Sequence, residues 1–144
     1  MKKKVFITGA SSGIGEHLAY SYSKLNYSVG LAARREDKLN KVAKKCIDLG
    51  GEPITFPLDV LDEKLCSKTI NNFISLPGSI DAIYANAGIG SPDELNSGSA
   101  STMNKILSVN ILGVTNTVMP FIPYMKSIKS GKIAVICSVA SFRG

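Results

Sequence analysis

This 144-residue chain has one histidine, three scattered cysteines and only 11 acidic residues against 17 basic ones. His17 has no second metal ligand near it in sequence, so it reads as a plain helical residue and no metal site is expected. Cys46, Cys66 and Cys137 are odd in number, far apart and without a Cys-x-x-Cys pair. That excludes a disulfide framework, and they read as small buried hydrophobes of a reducing compartment. No stretch reads as long and apolar enough to span a bilayer. The apolar stretch after Met1-Lys2-Lys3-Lys4 is cut at Thr8-Gly9, too early for a signal-peptide core, so a cytoplasmic protein without a membrane partner is expected. The shortage of acids leaves a formal charge of +6 from 17 basic residues. These bases are scattered through helical segments with no aromatic-interleaved stripe, which argues against a nucleic-acid partner. They suit a small phosphorylated ligand.

What remains is an ordinary globular composition, 44% hydrophobic and 19% charged, of one-domain length. No repeat, linker or low-complexity tract divides residues 1–144. Residues 4–8, 28–33, 53–58, 82–85 and 132–138 read as β-strands. Between them, Ile14, Leu18, Tyr22 and Leu25 lie at helical spacing, and so do Leu39, Val42, Ala43, Cys46 and Ile47 before Gly50-Gly51. Cys66, Thr69, Ile70 and Phe73 form a third helical stripe, and residues 103–125 a long helix behind a loop at 91–101. Strands alternating with helices predict an α/β fold, a doubly wound parallel sheet with helices on both faces.

"ITGASSGIGEHL" is the most informative stretch. Gly9, Gly13 and Gly15 follow the first strand at the spacing G-x-x-x-G-x-G and open directly onto a helix. Glycines there let the chain turn sharply and let a pyrophosphate approach the backbone. The helix's first amides point at the phosphates, and Ser11 and Ser12 add hydroxyls. An ordinary glycine-rich turn is the bland alternative, and the strand-loop-helix context favours the nucleotide. The missing Gly-Lys-Ser/Thr ending argues against a triphosphatase loop.

Thr8-Gly9-Ala10-Ser11-Ser12-Gly13-Ile14-Gly15, with Asn86-Ala87-Gly88 after the fourth strand, resembles the one-domain short-chain dehydrogenases/reductases. The resemblance runs along the whole chain in order. It implies a Rossmann-type dinucleotide-binding domain, here truncated after strand five and incomplete at its carboxyl end. It implies an oxidoreductase moving hydride between a nicotinamide cofactor and a small carbonyl or secondary alcohol. A homo-oligomer, dimer or tetramer, is the family expectation.

The residue after strand two decides the ribose partner. An acid there would accept from a free 2′-hydroxyl, whereas this chain has Arg34-Arg35. Two guanidiniums suit a 2′-phosphate, so NADP is expected over NAD. The alternative is that both arginines merely begin a solvated helix. By resemblance Asp59 contacts the adenine, Val60 lines its pocket, and Ile14, Asn86, Ala87 and Gly88 complete the cofactor site. Asp59 also reads as a turn or capping aspartate. The family often has two asparagines before Ala-Gly, and the first is Ala85 here.

Asn110 falls on the apolar stripe of the long helix, where a buried amide needs partners. It reads either as a satisfied core asparagine or, by resemblance, as the member of the catalytic set that anchors a water. Ser138 matches the catalytic serine, with Cys137 in place of the serine that commonly precedes it. The family also uses a tyrosine and a lysine four residues on, normally shortly past Ser138. No such catalytic pair is read among the five tyrosines. That leaves open a second class of function, an NAD(P)-binding or sensing module without turnover. A bare apolar edge at strand five would make residues 1–144 aggregation-prone.

Overall fold

Val5, Phe6 and Ile7 are all fully buried, as a strand covered on both faces requires. They belong to β1 (Lys3–Thr8) at the centre of the sheet. The computed structural model describes residues 2–90 and 99–138. After β1 come α1 (Gly13–Ser23), β2 (Ser28–Ala33), α2 (Glu36–Asp48), β3 (Glu52–Pro57), α3 (Glu63–Ser75) and β4 (Ser79–Ala85). A 29-residue helix over Ala100–Ile128 follows. It divides into α4 (Ala100–Leu107), a π-helical segment Ser108–Leu112, α5 (Gly113–Val118), a 3-10 turn Met119–Phe121 and α6 (Ile122–Ile128). β5 (Lys132–Val135) closes the order β3-β2-β1-β4-β5, with every pairing parallel. This is the expected Rossmann-type doubly wound sheet. The strand order reverses between β1 and β4, so a crevice opens there at the carboxyl ends of the strands.

Alternation along β1 divides the core in two. Val5 and Ile7 pack with Val29, Leu31 and Ala19, and with Leu39, Val42 and Cys46 of α2. Phe6 packs on the other face with Ile83, Ile70, Phe73, Phe121 and Met125. The Phe6 ring centroid lies 5.1 Å from that of Phe73 and 5.4 Å from that of Phe121.

Three expectations are corrected. The stripe Ile14, Leu18, Tyr22, Leu25 faces the core only in part: Leu18 and Tyr22 pack half-buried against it, Ile14 and Leu25 are exposed, and the fully covered positions are Gly15, Ala19 and Ser23. Small residues win because α1 is closely packed at both ends: a Cβ on Gly15 would meet the Gly9 carbonyl, and one on Gly51 would meet Ser23. On the long helix the buried positions are Val109, Gly113, Thr117, Phe121 and Met125, while Met103, Leu107 and Ile111 are exposed. β5 is shorter than expected because its partner β4 ends at Ala85. Beyond Val135, the Ile136 amide makes one further bond, to the Ala85 carbonyl at 3.1 Å. Of the expected loop at 91–101, residues 91–98 lie outside the described residues, as does everything after Ser138.

The membrane expectation changes as well. Ala100–Ile128 reaches a mean hydropathy of 1.4 over 18 residues, long and apolar enough to cross a bilayer by length and composition. No unbroken apolar run is needed, because its near-neutral Ser, Thr, Gly and Asn residues barely lower the average. The helix nonetheless places Phe121 and Met125 in the core on one face of the sheet.

Lys4 is the least expected core residue. Its side chain is fully buried, and Nζ donates to the carbonyls of Phe73 (2.8 Å), Ile74 (3.2 Å) and Leu76 (2.6 Å). These are acceptors at the carboxyl end of α3, where carbonyls run out of helical amides; that of Phe73 also accepts from the Leu76 amide at 3.3 Å. A cation is the favourable partner for that end of the dipole.

Opposite it, Tyr22 and Tyr84 share a 2.7 Å hydroxyl contact and Tyr27 donates to Asp81 at 2.9 Å. Burial raises the Tyr22 and Tyr27 phenols, and burial with the Glu16 contact takes Tyr20 up to about 12. Burial also raises Cys46, and it takes Cys66 up to about 11. A group raised on folding stabilises fully below its unfolded value and loses that stabilisation as pH climbs through its folded one. The window therefore starts near pH 9 for the thiols and pH 10 for the phenols. Lys4, lowered from 10.5 by burial, acts in the opposite sense and is outnumbered. Urea midpoints are expected to fall steadily from pH 9 to pH 11, about the range of those values, and Tyr22→Phe to flatten the fall. A flat profile would contradict this.

Candidate functional site: a cleft at the carboxyl edge of the sheet

A cleft of about 840 Å³ opens where the strand order reverses. Gly9, Ser11, Ser12, Ile14, Arg34, Arg35, Asp59, Val60, Asn86, Ala87, Gly88, Asn110 and Ser138 all line it. Of the expected site residues only Gly13 and Gly15 do not, and each has a different reason.

Gly15 is buried beneath the turn. A Cβ there would overlap the Gly9 carbonyl and lie 2.6 Å from Asn86 Nδ2. Gly9 (φ +66°) is equally confined, since its Cβ would stand 2.9 Å from Ala87 Cα. Gly13 (φ +59°) has nothing within 4 Å, so it is needed for its backbone angle rather than for space. Ser12 is the N-cap of α1 in an extended conformation, and its side chain makes no capping bond. The first amides of α1 are therefore left without a side-chain acceptor from that cap.

Thr8 holds the two sides of the crevice together. Its buried hydroxyl donates to the Tyr84 carbonyl at 3.3 Å and accepts from the amides of Asn86 (3.1 Å) and Ala87 (3.2 Å). Asn86 Nδ2 donates to the Thr8 carbonyl at 3.0 Å and to that of Gly9 at 3.4 Å. Asn86 thus fixes the glycine turn against β4, a positioning role. From the sequence, Thr8 has no role beyond opening the glycine motif; a hydroxyl directly after Val5-Phe6-Ile7 was the available signal.

Arg35 reaches across the turn. Its Nη2 donates to Ser11 Oγ at 3.3 Å and Ser12 Oγ at 3.2 Å, which places a guanidinium on the glycine loop. The dipole of α2 is met by Glu36 and Asp37 in its first turn, so the arginines are not its capping charges. Asp59 Oδ1 accepts from the Leu61 amide at 3.0 Å, the turn geometry weighed from the sequence, while the residue still lines the cleft. The capping role belongs to Asp62, which accepts from the Leu65 amide at 2.9 Å.

The wall at Val60 is held from behind. Asn116 Nδ2 donates to the Val60 carbonyl at 2.9 Å, and a Cβ on Gly113 would come within 2.6 Å of Val60 Cγ2. The Cys66 thiol lies 3.7 Å from the Asp59 and Val60 carbonyls. Burial first, then Asp62 and Asp59, push it up to about 11, so this thiol is not a nucleophile at neutral pH.

Asn110 corrects the expectation of a buried amide. It is exposed and sits in the π-helical segment, a distortion often found at functional sites. Its Oδ1 accepts from the Ile89 amide and its Nδ2 donates to the Ile89 carbonyl, both at 2.9 Å. The side chain therefore clamps the strand-four loop. Cys137 is exposed in the cleft beside Ser138, not buried as expected, and lies beyond the end of β5. A Tyr-x-x-x-Lys spacing does occur once, at Tyr20 and Lys24, against the reading that the tyrosines hold no such pair. It lies on α1 away from the cleft: the Tyr20 hydroxyl donates to Glu16 at 2.7 Å and Lys24 ends the helix.

The glycine turn, the Asn86 clasp and Ser138 at one cleft match a family pattern. The model of the short chain dehydrogenase family matches residues 3–144. The chain belongs to that family. An 11-beta-hydroxysteroid dehydrogenase-like 2 protein of Arabidopsis thaliana is 39% identical over 143 residues, covering 96% of this chain and 46% of the relative. The alcohol dehydrogenase of Thermococcus sibiricus, solved with 5-hydroxy-NADP, superposes with a TM-score of 0.87 at 31% identity, covering 99% of this chain and 61% of that one. An NAD+-bound xylitol dehydrogenase shares the fold, with a TM-score of 0.92 at 22% identity over 99% of this chain and 55% of its own. The chain spans about half the length of the curated relatives it matches. As a short-chain dehydrogenase it has the Rossmann-type fold that the Thermococcus sibiricus enzyme uses to hold 5-hydroxy-NADP.

Proposed function

We propose that this chain binds NADP(H) in the cleft and serves an oxidoreductase acting on a small carbonyl or secondary alcohol. The observation that carries the cofactor preference is Arg35 held on Ser11 and Ser12, with no acid at the end of β2. The cleft fits the group on its own terms. The cradle under Gly9 and Gly15 would be filled by any Cβ, and the amides opening α1 are left uncapped by Ser12. Gly9, Ser11, Ser12, Gly13, Ile14 and Gly15 would hold the diphosphate. Arg35, with Arg34, would take the ribose phosphate, and Asp59 and Val60 the adenine. When bound, the dinucleotide supplies hydride chemistry.

The chain's own residues position and exclude. Asn110 fixes the Ile89 backbone over the cleft, and Ser138 offers a hydroxyl able to donate to or accept from a substrate oxygen. The exposed face of Met103, Leu107 and Ile111 supports assembly into a homo-oligomer. A binding module without turnover is the second reading, favoured by a cradle that needs only the glycine turn and Asn86 to hold a dinucleotide.

Fluorescence titration tests the preference. NADPH is expected to bind at least about tenfold tighter than NADH, the scale of one charge-assisted pair. Arg35→Gln should bring the two to near parity by weakening NADPH alone. Equal affinities in the unaltered protein would overturn the preference. NADPH oxidation with a panel of ketones and aldehydes separates the two readings, since the module alone gives none.

A further inference from the structure

Although bases are scattered along the chain, their excess over acids is concentrated beside the cleft in a way its lining does not use. Between positions 34 and 45 the chain has six basic and two acidic side chains, four of its net six positive charges. Arg34, Lys38, Lys41 and Lys45 follow one another at helical spacing, and all are exposed. The buried face of α2 is the other one, Leu39, Val42 and Cys46. Among the described residues the ion pairs are Lys2 with Glu52 and Lys3 with Asp81, so none of these α2 lysines is neutralised by a carboxylate. The stripe begins at the cleft, because Arg34 lines it, and runs away along the outside of the molecule.

We propose that this stripe is a capture surface that draws the anionic dinucleotide into the cleft and raises its association rate without adding contacts in the bound state. The inference rests on the proposed NADP(H) reading. A one-signed row of charges leading into a cleft raises the local concentration of an oppositely charged ligand and steers encounter. With a rise of 1.5 Å per residue, Lys38 lies about 6 Å, Lys41 about 10 Å and Lys45 about 16 Å along the helix from Arg34. The screening length is about 8 Å at physiological salt and about 30 Å at 0.01 M. Lys38 therefore acts at physiological salt, and Lys41 and Lys45 chiefly in dilute salt. Glu36 and Asp37 in the first turn oppose the effect without cancelling it.

Stopped-flow NADPH binding tests this with the triple variant K38Q/K41Q/K45Q, in which glutamine keeps the helix propensity of lysine. Its control is K126Q/K129Q/K132Q, the same charge change placed around the end of α6 and the start of β5, at the opposite edge of the sheet. The α2 variant should lose about three- to tenfold in association rate at low salt and converge with the unaltered protein near half-molar salt, as screening removes the field. Its dissociation rate should not change, and the control should keep its rate. Equal effects of the two triples would overturn the inference, assigning the rate to total charge. So would an unchanged rate in the α2 variant, or a slower association that persists at high salt. A stripe variant with unchanged NADPH kinetics but lost retention on a DNA duplex or on anionic vesicles would assign the stripe to a macromolecular polyanion and overturn it too. Failure of the unaltered protein to bind NADPH at all would instead sink the cofactor reading beneath it, a separate result.

Discussion

Gly15→Ala is expected to weaken dinucleotide binding by about tenfold to a hundredfold, and Gly15→Val to abolish it. The single methyl of alanine would overlap the Gly9 carbonyl and come within 2.6 Å of Asn86 Nδ2. Neither neighbour is a flexible side-chain tip. One is backbone of the turn, and the other is the amide that ties Thr8 and Gly9 to β4. The turn must therefore move, at about 1–3 kcal/mol for overpacking a close-packed site. The movement is transmitted to the diphosphate cradle because Gly9 is its first residue. Gly13→Ala provides the comparison. No atom lies within 4 Å of its Cβ, so only the left-handed backbone angle is penalised, at about 1–2 kcal/mol. Titration of both alanine variants, with melting curves to separate lost affinity from lost fold, checks the ranking. An alanine at 15 that binds as tightly as glycine would show that the turn is not the cradle.

Lys4→Met should cost the fold about 2–4 kcal/mol. Three carbonyls at the end of α3 lose a charged donor, and hydrogen bonds to charged groups contribute about 1.5–3 kcal/mol each. Part of that is offset by the desolvation of a fully buried ammonium, which is why the sum is not taken at face value. Methionine preserves the length and apolar stem of the side chain, so packing on Phe73 is retained. The change should appear as a lower urea midpoint at an unchanged slope. Amide exchange should rise first at the carboxyl end of α3. An unchanged midpoint would mean that water or the helix itself satisfies those carbonyls.

Lys4 also shows where sequence reading stops. Alternation and composition make β1 legible, but a lysine at a strand start reads as solvated until the end of α3 is placed against it, 69 residues away. The glycine turn was legible because one short segment carries strand, turn and helix. Thr8 and Asn110 needed the tertiary partners Ala87 and Ile89 to reveal what they hold. The inner face of the long helix was misassigned for a related reason. Its apolar residues go all round, and only contact with Val60 and Phe6 selects the side bearing Gly113 and Phe121. The corrected reading of Cys137 follows from where β5 stops pairing with β4, a property of sheet register that no local pattern contains.

Backbone amide spectra of the isotope-labelled protein titrated with NADPH test the central claim most directly. The account predicts the largest shifts at Gly9 to Gly15, with a second group at Arg34, Arg35 and Val60. Shifts confined to other surfaces, with the Gly9–Gly15 amides unmoved at saturation, would contradict it.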